Sequence, residues 1–122
     1  MHELSIAMAL YAACRKESTE PGELLVTVRV QIGELAGVEP GLLEYAWAAC
    51  IRKTRDEGAV LKIEYHVAKQ VCANCGPIGE RQMGTWLRLC PDCESPLRVE
   101  GGYELDIISL SFERQATMEG RS

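Results

Sequence analysis

Two C-x-x-C pairs constrain this chain more than any other feature. Cys72-Ala73-Asn74-Cys75-Gly76 is followed, after fourteen intervening residues, by Cys90-Pro91-Asp92-Cys93. Residues 70–101 hold these four cysteines with four glycines, three prolines and few aliphatic side chains. About thirty such residues cannot bury enough apolar surface to offset backbone ordering, so the segment needs a covalent or metal staple. Two C-x-x-C pairs at this separation are the sequence form of a tetrahedral four-cysteine zinc site. In each pair both sulfurs reach one ion while the following backbone N–H groups donate to the thiolates, and Gly76 relieves the steric strain of the tight turn. Four protein ligands close the coordination shell, so the expected role is structural.

Other chemistries fit less well. A thioredoxin-like redox pair uses a single C-x-x-C at a helix start after a strand, and here there are two in turn-rich settings. Fe–S ligation is the chief remaining alternative. Cys14 and Cys50 fall on the apolar stripes of two predicted helices and read as small buried hydrophobes. His66 shares a polar strand face with Glu64 and Lys62 and reads as a solvated histidine.

The rest of the chain predicts a small α+β body. Leu4, Ala7, Met8, Tyr11 and Cys14 have helical spacing over residues 4–17, ended by Pro21 and Gly22. Leu24 to Ile32 alternates, with Val26, Val28, Val30 and Ile32 on one face. Gly33-Glu34-Leu35-Ala36-Gly37 reads as a turn-like connector. Pro40 suits the first position of a second helix running to about Asp56, with Leu43, Ala46, Trp47, Cys50 and Ile51 as its stripe and Gly58 at its end. Leu61, Ile63, Tyr65 and Val67 mark a second strand. Tyr103 to Glu113 is a third, whose apolar phase slips between Ile107 and Ile108 as a bulge would cause. The expected architecture is a mixed three-stranded sheet with two helices over 1–69 and 102–116, a zinc-ribbon-like lobe inserted at 70–101, and a frayed tail at 117–122.

Composition narrows the function. Thirteen basic and eighteen acidic residues give a net charge of -5 over 122 residues. That balance lacks the cationic field behind non-specific nucleic-acid affinity. Apolar runs are too short to span a bilayer, and the N-terminus has no signal-peptide pattern. A reducing, cytoplasmic setting is the expectation, in which paired cysteines suggest metal chemistry before disulfides.

The amino terminus is the second informative place. His2 should leave Met1 in place, so the α-amine, the His2 amide nitrogen and imidazole Nδ1 lie in consecutive chelate rings. Ni(II) or Cu(II) holds such nitrogens in a tetragonal plane. Glu3 could add a backbone nitrogen or a carboxylate oxygen. Proton competition makes such a site weaken on mild acidification. Taken alone, a terminal histidine is ordinarily a solvated residue.

Met1-His2-Glu3-Leu4-Ser5-Ile6-Ala7, Val30-Gln31-Ile32-Gly33-Glu34-Leu35-Ala36-Gly37-Val38, Gly102-Tyr103-Glu104-Leu105 and the ordered cysteine pairs together resemble the HypA/HybF family of hydrogenase maturation nickel metallochaperones. The resemblance covers Met1 to about Glu113. It implies that His2 binds nickel, that Glu3 is associated with the same site, and that Cys72, Cys75, Cys90 and Cys93 hold zinc. An acidic residue after the Gly-Glu connector is a further ligand in some members, and Glu39 is its nearest match. Many members place Gly or Ser directly after the last cysteine, where this chain has Glu94. By the same resemblance, Ni(II) is cargo for the large subunit of [NiFe] hydrogenase, delivered with a HypB-type GTPase; some members serve urease, and a homodimer is compatible with the family.

Two other classes compete. An enzyme would need an open metal position or a nucleophile–base constellation, and no P-loop or His-Glu-x-x-His is present, so no catalytic role is assigned. A zinc-ribbon nucleic-acid-binding or assembly module could use Arg81, Arg88, Arg98 and Trp86, although Glu80, Asp92, Glu94 and Glu100 offset that charge locally.

Overall fold

A computed structural model describes residues 2–79, 81 and 84–114. The elements run α1 (Glu3–Lys16), β1 (Glu23–Gly33), α2 (Pro40–Ile51), β2 (Val60–His66), β3 (Lys69–Cys72), β4 (Gly76–Pro77), β5 (Leu97–Glu100) and β6 (Leu105–Arg114). They form two three-stranded sheets, ordered β2-β1-β6 and β4-β3-β5. The first, with both helices, is the body; the second, with the four cysteines, is the lobe.

β1 is the central strand of the body, parallel to β2 and antiparallel to β6. Its inward set is Leu25, Val28, Val30 and Ile32, all buried. Sequence alternation put Val26 in that set and left out Leu25. The correction comes from a bulge: Leu25 pairs with Phe112 and Thr27 with Ser111, so Val26 is the extra residue and the phase flips there. A second register shift matches Arg29 to Ser109 and Val30 to Ile107, making Ile108 the extra residue at the predicted slip.

The helices cover one face of this sheet. In α1, Ile6, Ala7 and Cys14 are buried with Leu10 and Tyr11 packed against them, whereas Leu4 and Met8 are 51% and 57% exposed. Three-and-four spacing fits either flank of Ala7 equally well, and only the position of the sheet chooses Ile6 and Leu10 over Leu4 and Met8.

α2 buries Leu43, Ala46, Trp47 and Ile51 as expected, with Cys50 half-buried, but stops at Ile51 rather than near Asp56. Arg52 turns extended, Lys53 takes a φ of 65°, and the Thr54 hydroxyl donates to the Ile51 carbonyl at 2.6 Å. Leaving the helix brings Asp56 into the core. There it accepts the Leu25 N–H at 2.8 Å and the Tyr11 hydroxyl at 2.6 Å, with the Arg15 guanidinium 3.4 Å away. On β2, Leu61 is buried and Ile63 partly so, while Tyr65 is exposed; Val67, expected in this strand, lies just past its end and is exposed too. The tail expected to fray lies outside the described residues.

Gly33 and Gly102 set where the lobe joins the body. A Cβ on Gly33 would lie 2.2 Å from the Gly102 carbonyl, and one on Gly102 (φ 92°) would lie 2.6 Å from the Ala68 Cβ. Two bare backbones therefore cross at this junction. Gly33 N–H donates to the Glu104 carbonyl at 2.8 Å and Leu35 N–H to the Gly102 carbonyl at 2.6 Å. These bonds pin the exit crossing beside the end of β1, and Glu34 N–H donates to the His66 carbonyl at 2.8 Å just before the entrance.

Candidate metal centre

The four cysteines converge. The Sγ atoms of Cys72, Cys75, Cys90 and Cys93 all lie within 4.8 Å of one another, with Cys72 and Cys93 at 3.4 Å. A tetrahedral Zn²⁺ with four thiolates at about 2.3 Å requires sulfurs about 3.8 Å apart, so the donor set suits such an ion. Cys72 and Cys90 are buried, Cys75 and Cys93 exposed. The cluster is tied to the lobe sheet by Cys72 on β3, and Leu89 bridges to Pro96 beside the second pair.

Each turn is shaped for sulfur. Asn74 N–H points at Cys72 Sγ at 3.4 Å, and the Asn74 amide donates to Ser95 Oγ at 3.0 Å. Gly76 takes a φ of 83°, which glycine adopts without penalty. At the matching place in the second turn Glu94 takes a φ of 60°, a conformation costly for a side chain with a Cβ. Its N–H still donates to the Cys90 carbonyl at 2.9 Å, and Cys90 N–H to the Ser95 carbonyl at 2.8 Å. The departure at Glu94 therefore leaves the turn intact and loads it with backbone strain.

Crowding splits the thiols. Hydrogen bonds from the Ser95 hydroxyl and N–H bring Cys93 down to about 6, while Cys93 and then Cys90 push Cys75 up to about 12. The Ser95 bonds thus favour a thiolate at Cys93, and cation binding is coupled to release of thiol protons.

The amino-terminal end is a second cluster. His2 is exposed and is the N-cap of α1, with extended backbone and no side-chain capping hydrogen bond, so its imidazole is not consumed by the helix. Its carbonyl accepts the Ile6 N–H at 3.2 Å. Glu3 accepts the Glu39 N–H at 3.1 Å, and that bond, with its own N–H, holds the carboxyl below its ordinary pKa. Glu39 caps α2, accepting Gly41 N–H at 3.2 Å and Leu42 N–H at 2.7 Å. Glu3 and Glu39 line one open pocket with Glu34, Gly37, Val38, Pro40 and Tyr65. Met1, carrier of the α-amine, is outside the described residues. His66 stands with its side chain 42% exposed near Glu64.

Glu34 was read only as part of a connector. Its carboxylate takes the Ala68 N–H at 3.1 Å, the Gly84 N–H at 3.0 Å and the Arg81 guanidinium, with the Arg81 and Glu34 side chains 6% and 8% exposed. Burial raises its pKa, but the Gly84 and Ala68 N–H groups and Arg81 outweigh that and leave it lowered. The signal in the sequence was a lone carboxylate between Gly33 and Leu35 in a turn. Among the basic and aromatic side chains considered for nucleic acid, Arg81 also lies 3.6 Å over the Trp86 ring and Arg98 bonds Glu100. No helix among the described residues is long and apolar enough to cross a membrane.

A two-helix mixed-sheet body carrying a four-cysteine lobe defines a small metal-binding protein, and comparison identifies its family. Residues 1–112 match the family model HypA, described as hydrogenase/urease nickel incorporation, metallochaperone. The chain belongs to the HypA family. A hydrogenase maturation factor HypA of Geobacter metallireducens is 35% identical over 93% of this chain and 100% of its own length. Another from Rhodobacter capsulatus is 36% identical over 90% of this chain and 97% of its own. The solution structure of the Ni metallochaperone HypA from Helicobacter pylori shares the fold, with a TM-score of 0.58 and 21% identity over 94% of this chain and all of that one. A second solution structure of a HypA protein gives 0.62 and 22% over 94% of this chain and 98% of that one.

Proposed function

We propose that this protein carries Ni(II) at its amino terminus for [NiFe] hydrogenase maturation, with zinc in the cysteine cluster as a structural ion. The observation that carries the reading is the division of donors. Four sulfurs from one lobe lie within 4.8 Å of one another, enough donors to fill a tetrahedral shell, whereas His2 stands exposed at the head of α1. A closed thiolate cage retains its ion; an exposed nitrogen-rich site accepts a tetragonal ion and surrenders it to a partner's ligands. Zinc would orient the thiolates and offset half of their charge, and the chain would hold it through Cys72, Cys75, Cys90 and Cys93.

His2 supplies imidazole and amide nitrogens in this reading. Glu3 and Glu39, joined by a hydrogen bond, stand as neighbouring carboxylates. The recipients are a HypB-type GTPase and the hydrogenase large subunit, in the cytoplasm, and the protein itself acts as an accessory rather than a catalyst. Titration of Ni(II) into untagged, zinc-loaded protein and into His2→Ala tests this. Loss of the tight site with zinc retained is expected, and equal tight binding by both forms overturns the reading.

A further inference from the structure

The extensively packed pairs of elements lie wholly inside the body or wholly inside the lobe. What holds the lobe in place is therefore the junction. Part of it is backbone: Leu35 N–H on the Gly102 carbonyl pins the exit crossing. The rest gathers on one carboxylate. Glu34 takes the Ala68 N–H of the entrance crossing, the Gly84 N–H and the Arg81 guanidinium.

Arg81 and residues 84–87 belong to the lobe. The buried Gln70 side chain on β3 donates to the Leu87 carbonyl at 2.8 Å and accepts the Leu87 N–H at 3.1 Å. Arg81 stacks on Trp86 and donates to the Thr85 carbonyl at 3.0 Å, so its guanidinium is preorganised before it meets Glu34. Just outside the pinned exit, Gly101 takes a φ of 73°, in the left-handed region that glycine adopts without penalty. Arg81 of the lobe thus reaches back to Glu34, a body carboxylate.

We propose that Glu34 is a positioning residue that holds the cysteine lobe at one orientation on the body through Arg81. Without that ion pair the lobe keeps its fold and swings on its two crossings. Glu34 also walls the pocket containing Glu3 and Glu39, so the lobe's orientation and the shape of the amino-terminal end are set at one side chain. The proposal goes beyond nickel carriage and does not depend on it.

Residual dipolar couplings on the zinc-loaded full chain, without nickel, test it. In the wild type, body and lobe amides should fit one common alignment tensor. In Arg81→Ala and Glu34→Gln, each unit should keep its own fit and the metal, while the lobe tensor shrinks at least about twofold relative to the body's as averaging sets in. Arg81→Lys keeps the charge and should recover part of the common tensor. A single shared tensor in both folded variants overturns the proposal, as does independent motion already present in the wild type. Loss of lobe fold or metal in Arg81→Ala also overturns it, since the contact would then be needed for folding rather than orientation. None of these outcomes bears on the nickel titration of His2→Ala.

Discussion

The carboxylate of Glu3 accepts the backbone N–H of Glu39 at 3.1 Å, joining the first turn of α1 to the N-cap of α2. The bond crosses thirty-six positions of sequence and sits beside the exposed His2. It sets the entry of both helices together, so the residue following the proposed nickel ligand has a structural duty of its own.

That duty carries a pH signature. The Glu3 pKa is lowered in the fold, so its contribution is fully present above the ordinary carboxylate value of 4.5 and is lost as pH falls through the folded one. The Glu39 amide resonance should titrate with Glu3 in that acid window. Glu3→Gln should abolish the titration, and a Glu39 amide that still shifts in the same window would contradict the assignment.

Glu94 offers a stabilising substitution. Its φ of 60° strains the second cysteine turn where Gly76 relaxes the first. Glu94→Gly should raise the stability of the metal-loaded lobe by about 1 kcal/mol, with the denaturant midpoint as readout. Gly76→Ala should lower it by about as much, at the mirror position of the same motif.

Asp56 should be among the most sensitive positions in the body. It is 1% exposed and satisfies the Leu25 N–H and the Tyr11 hydroxyl. Asp56→Ala leaves the Leu25 and Tyr11 donors without their acceptor and Arg15 without its carboxylate partner, and should cost about 3–5 kcal/mol in chemical denaturation. Asp56→Asn keeps an oxygen for Leu25 and should cost clearly less.

Metal removal should act locally. A strong chelator is expected to collapse β3, β4 and β5 while the β2-β1-β6 sheet retains its amide protection, since the body has its own apolar core. Retention should weaken progressively as pH falls, because protons compete with the metal for the four thiolates. Chelator competition followed across pH 5–8 reads this directly, and a pH-independent profile would count against proton-coupled binding.

The amino-acid order by itself determined the cysteine cluster, the mixed sheet and the helix on Leu43, Ala46 and Trp47, because ligand spacing and side-chain period are local quantities. It also marked the bulge at Ile108, where the alternation itself breaks. Tertiary structure decided what depended on a neighbour's position: Leu25 rather than Val26 inward, Leu4 and Met8 outward, α2 ending at Ile51 so that Asp56 could reach Leu25. Above all it decided Glu34, whose partners at Ala68, Arg81 and Gly84 lie 34 to 50 positions away. No local pattern encodes an ion pair at that range, since it forms only once two separately ordered units meet.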